Sequence, residues 1–324
     1  MVSSNSTSFE KEPTPELETQ CNEIIRQWQA GELPFRDAAI AMNILREEAI
    51  VKNHFANEGR VEYLLGYMQG YRSNLNISIK HFERARMLFS RVENEARVMR
   101  CDLNLGESYR QKGDFTKARR LFRSAYEKSI LLGEIGTQTI ARSNEGLMLL
   151  SMGQIESARA ALNEALGLSK QWDDRNRTSL AGLLCEMHHG LAVISLNDND
   201  LHKAWFQANR ALEIAQEIEQ PLNVGFASRT MGEVLTALEA SPDEISVDEA
   251  TRPDDYFRAS IDAFRSLDAE GEMARTMHIY ARCLVKQGRR VPAARTLQQA
   301  TIIFAKLGMV DDAAKAAESQ AEIF

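Results

Sequence analysis

Along the chain, apolar and small side chains recur three and four positions apart rather than at alternate positions, as in Leu103, Leu105 and Tyr109 followed by Ala118, Leu121, Phe122 and Ala125. This spacing predicts helix nearly throughout, and 18 Gly and 7 Pro are too few to interrupt it often. The stretch from Leu103 to Glu134 recurs with variations on both sides of itself. A small residue falls in a first helix at Gly66, Gly106, Gly146, Gly190, Gly232 and Ala281, and another in the following helix at Ala85, Ala125, Ala165, Ala211, Ser260 and Ala300. Four of these pairs share one spacing (66 to 85, 106 to 125, 146 to 165, 281 to 300), and the other two are longer. Two helices of a hairpin approach closely only where neither projects a bulky side chain, so the small residues mark the crossings and Phe82, Phe122, Leu162, Phe257 and Leu297 supply the filling. Gly113, Gly153 and Gly288 sit where a left-handed helix cap is needed, and Asp114 and Asp200 follow as N-caps.

The pattern resembles the tetratricopeptide repeat family, most fully at Gly106, Tyr109, Ala118, Phe122 and Ala125. Other copies depart from it: Gln69 and Leu149 stand where Tyr109 does, and the early Trp of the family pattern is missing. Its spacing exceeds the family's usual length of about 34 residues. In this it is similar to the long-helix subtype of kinesin light chains, bacterial peptide-pheromone receptors and the sensor regions of some bacterial transcription activators. The expected fold is all-α, an α-solenoid in which antiparallel helix hairpins stack into a right-handed superhelix. Residues 1–16 read as a polar tail, 17–58 as a degenerate N-terminal capping hairpin, and 59–308 as six repeats starting near 59, 99, 139, 183, 225 and 274. An acidic insertion occupies 241–255, and 309–324 reads as a closing helix capped by Asp311 or Asp312.

The resemblance implies that the first helix of each hairpin lines a concave groove. Its groove positions give Arg60, Tyr63 and Tyr67, then Arg100, Asn104, Glu107 and Arg110, then Asn144 and Leu147. Met187, His188, Arg229, Arg275 and His278 follow in the later copies. Asn104 and Asn144 hold the same place in successive repeats, and an amide offers an extended peptide backbone both the donor and the acceptor it needs. With Tyr and Arg at one end, apolar residues in the middle, and Arg and His at the other, the wall suits a peptide with an apolar centre and acidic flanks.

Composition narrows the function further. Counting 39 Lys+Arg against 46 Asp+Glu leaves a net charge of -7, which gives the chain as a whole no pull towards nucleic acid or an anionic membrane. The basic cluster of Lys80, Arg84, Arg86, Lys117, Arg119, Arg120 and Arg123 falls on outer helices. Four widely spaced cysteines read as reduced thiols of a cytoplasmic protein, and the resemblance implies a bacterial-type one. Cys185 and His189 share a helical face, but no second cluster completes a metal site, and no cofactor or nucleotide motif is present. The reading is therefore a non-catalytic protein- or peptide-binding scaffold or adaptor. A ligand-gated receptor for a short peptide or small molecule is its competitor, and an enzyme built from scattered residues comes third. Self-association through the end helices is a further expectation.

Overall fold

The computed structural model describes residues 10–172, 177–239 and 252–323. Among them, fifteen helices form antiparallel hairpins that stack in order. α1 (Pro15–Gln29) and α2 (Phe35–Val51) precede the repeats. α3 (Phe55–Tyr71) pairs with α4 (Leu75–Arg91), α5 (Glu95–Gln111) with α6 (Phe115–Leu132), and α7 (Ile135–Ser151) with α8 (Ile155–Ser169). α9 (Arg177–Asn197) pairs with α10 (Leu201–Ile218), α11 (Pro221–Glu239) with α12 (Pro253–Ser266), and α13 (Glu270–Lys286) with α14 (Arg290–Leu307); α15 (Val310–Ile323) follows. From α3 onward, successive first helices touch one another while successive second helices splay apart, and this difference bends the stack into a curve with α3, α5, α7, α9, α11 and α13 inside.

The crossings are built as the small residues require. A Cβ on Gly106 would meet the Phe122 ring at 2.5 Å, on Gly146 the Leu162 side chain at 2.7 Å, and on Gly232 the Phe257 ring at 2.9 Å. Phe122, Leu162 and Phe257 are fully buried. Each glycine is thus the hole for a knob from its partner helix. The fourth copy differs, since the hole at Gly190 is filled by Leu147 and Leu162 of the preceding hairpin.

The turns keep a strict metre. A residue with positive φ closes successive helices at Asn53, Ser73, Glu93, Gly113, Gly133 and Gly153, at Asn199 and Glu219, and at Asp268, Gly288 and Gly308. In each run the next falls twenty positions later, one helix plus one turn. At all of these but Glu219 the following amide reaches back five residues, as from Asp114 to the Tyr109 carbonyl at 2.9 Å, which ties off the last turn. Asp114 and Asp200 accept from the amides of Lys117 and Lys203, as N-caps do.

Three boundaries differ from those read in the sequence. Part of the expected polar tail is held: Thr14 caps α1, and Glu12 accepts from Arg97 at 2.8 Å and from Asn94 at 2.8 Å. α15 begins at Val310, so Asp311 and Asp312 lie in its first turn and do not precede it. Of the acidic insertion, residues 241–251 lie outside the described residues. Asp254 and Asp255 belong to α12, where they pair with Arg289 and Arg258.

The curve closes on itself. The Tyr71 side chain packs against Phe264, Leu267 and Ala269, with Leu222, Phe226 and Met273 beside it, so the end of α3 meets the α11–α13 region. Ser73 is buried there, and a Cβ on Gly271 would collide with it. Two walls far apart in sequence are thereby brought face to face.

Candidate functional site

Between those walls lies a cavity of about 470 Å³. One wall comes from the C-terminal halves of α3, α5 and α7: Tyr67 and Tyr71, then Asn104, Glu107 and Arg110, then Asn144, Leu147 and Ser151. Glu186 and His189 project from the middle of α9. The opposite wall comes from the N-terminal parts of α11, α13 and α15: Phe226 and Arg229, Glu272 and Arg275, then Asp311, Asp312 and Lys315. The first helices all run the same way, so helices facing each other across a superhelical turn meet end against beginning. The lining therefore drifts along the helices from one repeat to the next.

That drift sorts the expected residues. Tyr67, Asn104, Glu107, Arg110, Asn144, Leu147, Arg229 and Arg275 line the cavity together. Six others lie elsewhere. Arg60 turns towards α1, pairing with Glu18 at 2.8 Å and donating to Asn22 at 2.9 Å. Tyr63 packs edge-on against Phe82 and accepts from Asn104 at 2.9 Å, so it supports the wall from behind. Arg100 points to solvent. Met187 is fully buried in the hydrophobic core, His188 bonds Gln207 of α10 at 2.6 Å, and His278 bonds Ser319 of α15 at 2.9 Å. In α9 the cavity residues are Glu186 and His189, flanking the pair the groove positions had selected. Glu272, Asp312 and Lys315 carried no sequence signal as site residues, because only the closing of the ring brings them in.

Most cavity charges are already satisfied. Glu107 pairs with Arg110 at 2.6 Å, and Glu272 joins Arg229 at 2.9 Å and Arg275 at 2.6 Å; Arg275 continues to Asp312 at 3.0 Å. Burial pushes the Glu272 carboxyl up, but Arg275 and Arg229 outweigh it and hold the group down at about 2. Glu186 has no such partner among the described residues. Burial, with Glu107 adding repulsion and Arg110 only partly offsetting it, raises Glu186 to about 7. His189 is driven down to about 3 by burial and by Arg229. The Thr230 hydroxyl donates to the Phe226 carbonyl, which leaves it accepting from His189 Nδ1 and places the neutral ring's lone pair on Nε2. The Asn144 side chain makes no hydrogen bond among the described residues, whereas that of Asn104 donates to both Tyr63 and the Arg100 carbonyl.

Two stretches match the tetratricopeptide repeat family, residues 100–129 and 141–171, within the second and third hairpins. Two of the chain's hairpins thus carry tetratricopeptide repeats. Its similar solved structures include a Rap protein complexed with competence and sporulation factor, with a TM-score of 0.57 at 13% identity over 96% of this chain and 98% of that one. The Rap conjugation gene regulator of plasmid pLS20, in complex with a Phr peptide, gives 0.67 at 12% identity over 92% and 76%. Aspartyl phosphate phosphatase F from Bacillus subtilis gives 0.60 at 12% over 91% and 70%. Likeness at such identities is one of fold. A comparison with curated proteins gives no match.

Outside the cavity, the repeat protein neutralises much of its basic cluster. Arg84 pairs with Glu58, Arg86 with Asp102, Lys117 with Asp114 and Arg123 with Glu127. Cys185 is buried with its thiol against the Ala211 carbonyl, and burial raises it to about 12, which makes it a poor nucleophile and metal ligand. No helix among the described residues is long and apolar enough to cross a membrane.

The raised Glu186 carboxyl gives a pH test of the cavity in the repeat protein itself. Its folded value lies above its ordinary 4.5, so its contribution to stability is present below 4.5 and is lost as pH rises through about 7. Facing it are Glu107 and Arg110 of α5, Tyr67 and Tyr71 of α3, His189 of α9, Arg229 of α11 and Glu272 of α13. Glu186→Gln is therefore expected to raise the melting temperature at pH 8 and to lose that advantage at pH 5. Equal shifts at both pH values would show that Glu186 is charged at neither or at both.

Proposed function

We propose that this chain is a non-catalytic receptor that encloses a short extended peptide between the two walls of its cavity. The observation that carries the reading is the pairing, in one cavity, of a side-chain amide, Asn144, and a carboxyl group, Glu186, that have no hydrogen-bond or ion-pair partner among the described residues. Asn144 is free to meet a peptide backbone, and Glu186 to meet a positive group such as an amino terminus or a basic side chain. The arginines that had suggested acidic flanks are already paired, so a cationic group is the better match to the middle of the site.

Of the two non-catalytic readings, the geometry favours the receptor over the passive adaptor. The walls belong to opposite ends of the superhelix, and an occupant touching both sets the distance between them. One of the similar folds described above is named as a complex with a peptide, and another as a complex with competence and sporulation factor, which supports the same reading. The phosphatase name of the third is not carried over: here His189 bonds a fully buried threonine whose proton is already committed to a carbonyl.

A pool of synthetic pentapeptides passed over immobilised protein tests this. Wild type is expected to retain a subset rich in basic residues. Asn144→Ala and Glu186→Gln, each with unchanged helicity, are expected to retain it about tenfold less, the weight of one buried hydrogen bond to a charged or peptide group. Equal retention by wild type and both variants would place peptide binding outside the cavity and end the proposal.

A further inference from the structure

α15 is attached unlike any other helix in the superhelix. Val310 is 76% exposed, no large apolar residue lies from Asp311 to Glu322, and among the described residues of this helix the only fully buried one is Ala316. Ala313 packs beside it, and His278 donates to or accepts from Ser319. Burying alanine methyls contributes little, so apolar packing alone holds this helix weakly. Yet its first turn reaches into the cavity. Asp312 takes Arg275 in a two-pronged contact, Nε to Oδ1 at 3.2 Å and Nη2 to Oδ2 at 3.0 Å. Asp311 crosses the opening, with Oδ2 2.6 Å from where a Cβ would stand on Gly113, in the turn after α5.

A two-pronged carboxylate on a guanidinium is also the geometry in which an arginine binds the carboxylate of a ligand. Arg275 faces the cavity, is mostly screened from solvent, and has one flank already committed to Glu272 at 2.6 Å. Its other flank is the one Asp312 occupies. We infer that α15 is a detachable latch and that Asp312 is a built-in stand-in for a ligand carboxylate. When a peptide presents a carboxylate to Arg275, Asp312 is displaced, α15 lifts from α13 and α14, and Asp311 leaves the Gly113 turn. The inference rests on the peptide reading for its second half only, since the latch itself is a property of the empty protein. It places the cation of the peptide at Glu186 and its carboxylate at Arg275, on different walls.

Hydrogen exchange of the full chain without ligand tests the latch. Asp312→Asn keeps the shape of the side chain but removes its charge. The variant is expected to exchange its α15 amides about tenfold faster or more, in line with losing one charge-assisted pair, while α13 and α14 stay protected. Unchanged α15 exchange would overturn the latch whatever the protein binds. The subsite is tested with two pentapeptide pools, one with free C-termini and one amidated. The variant is expected to retain several-fold more of the free-acid pool than wild type does, with no gain for the amidated pool. An equal gain for both pools, or none for either, removes the carboxylate subsite. Loss of all retention in every form removes the peptide reading with it but leaves the exchange result standing.

Discussion

Gly106→Val is expected to lower stability by about 3 kcal/mol, the upper end of the range for forcing bulk into a close-packed core. The first added carbon would already lie 2.5 Å from Phe122 Cε1 and 2.8 Å from Cδ1. Phe122 cannot step aside, because it is 1% exposed and sits in a core shared with Ala118, Ala125, Leu103 and Met148. The neighbouring crossing is looser, since a Cβ on Gly66 stands 3.0 Å from Phe82, so Gly66→Ala is expected to cost less than Gly106→Ala. Shrinking the knob offers a check on the cause. Phe122→Leu harms the wild type but recovers part of the loss in Gly106→Ala, a coupling that urea denaturation of the four proteins measures directly. If Gly106→Val stays within about 1 kcal/mol of wild type, the crossing is not the tight joint described here.

The second large effect is expected at Glu272→Gln, which leaves Arg229 and Arg275 facing each other with their shared counter-ion gone. The Glu272 side chain is 15% exposed and bonded to both arginines. Removing one partner from a buried charge network costs about 3 kcal/mol or more at neutral pH. The pH dependence has a definite sign. A carboxyl held at about 2 instead of 4.5 contributes stability that is present above 4.5 and lost as pH falls towards 2. Its weight from that displacement is about 3 kcal/mol, consistent with the mutational figure. Melting temperatures of wild type and Glu272→Gln should therefore differ widely at pH 7 and converge as pH drops below 4.5. A gap that stays constant down to pH 3 would mean the arginines find other partners.

These two positions also mark what the sequence could and could not reveal. Gly106 announces itself, because a crossing demands a small residue at a fixed place in every hairpin, and repetition makes that demand visible. The inner wall is legible for the same reason as far as Asn104, Glu107, Arg110, Asn144 and Leu147. In the fourth hairpin the cavity is lined by Glu186 and His189 in place of Met187 and His188, whereas Arg229 and Arg275 of the later hairpins do line it and His278 does not. Which face of a first helix sees the cavity depends on the superhelical path summed over several hairpins, and the metre of the turns skips between Gly153 and Asn199. Glu272 lay one turn before the expected stripe. Asp312 was read as a cap, because nothing local says that its neighbour in space is Arg275.

The twenty-residue metre has a last consequence. The ring closes where the turn at Ser73 meets the start of α13 at Gly271, so the chamber exists only because the number of hairpins between them carries the chain once around. Splicing one more hairpin between Gly113 and Gly153 would leave every local packing rule satisfied. It would also carry α13 past Ser73 by about one helix-pair width, about 10 Å, and the walls would no longer meet. The cavity between them would become a spiral trough able to accept a far longer occupant, with every present lining side chain unchanged. In this architecture the count of hairpins acts as a caliper, and the size of what can be held is set by arithmetic before any contact residue is chosen.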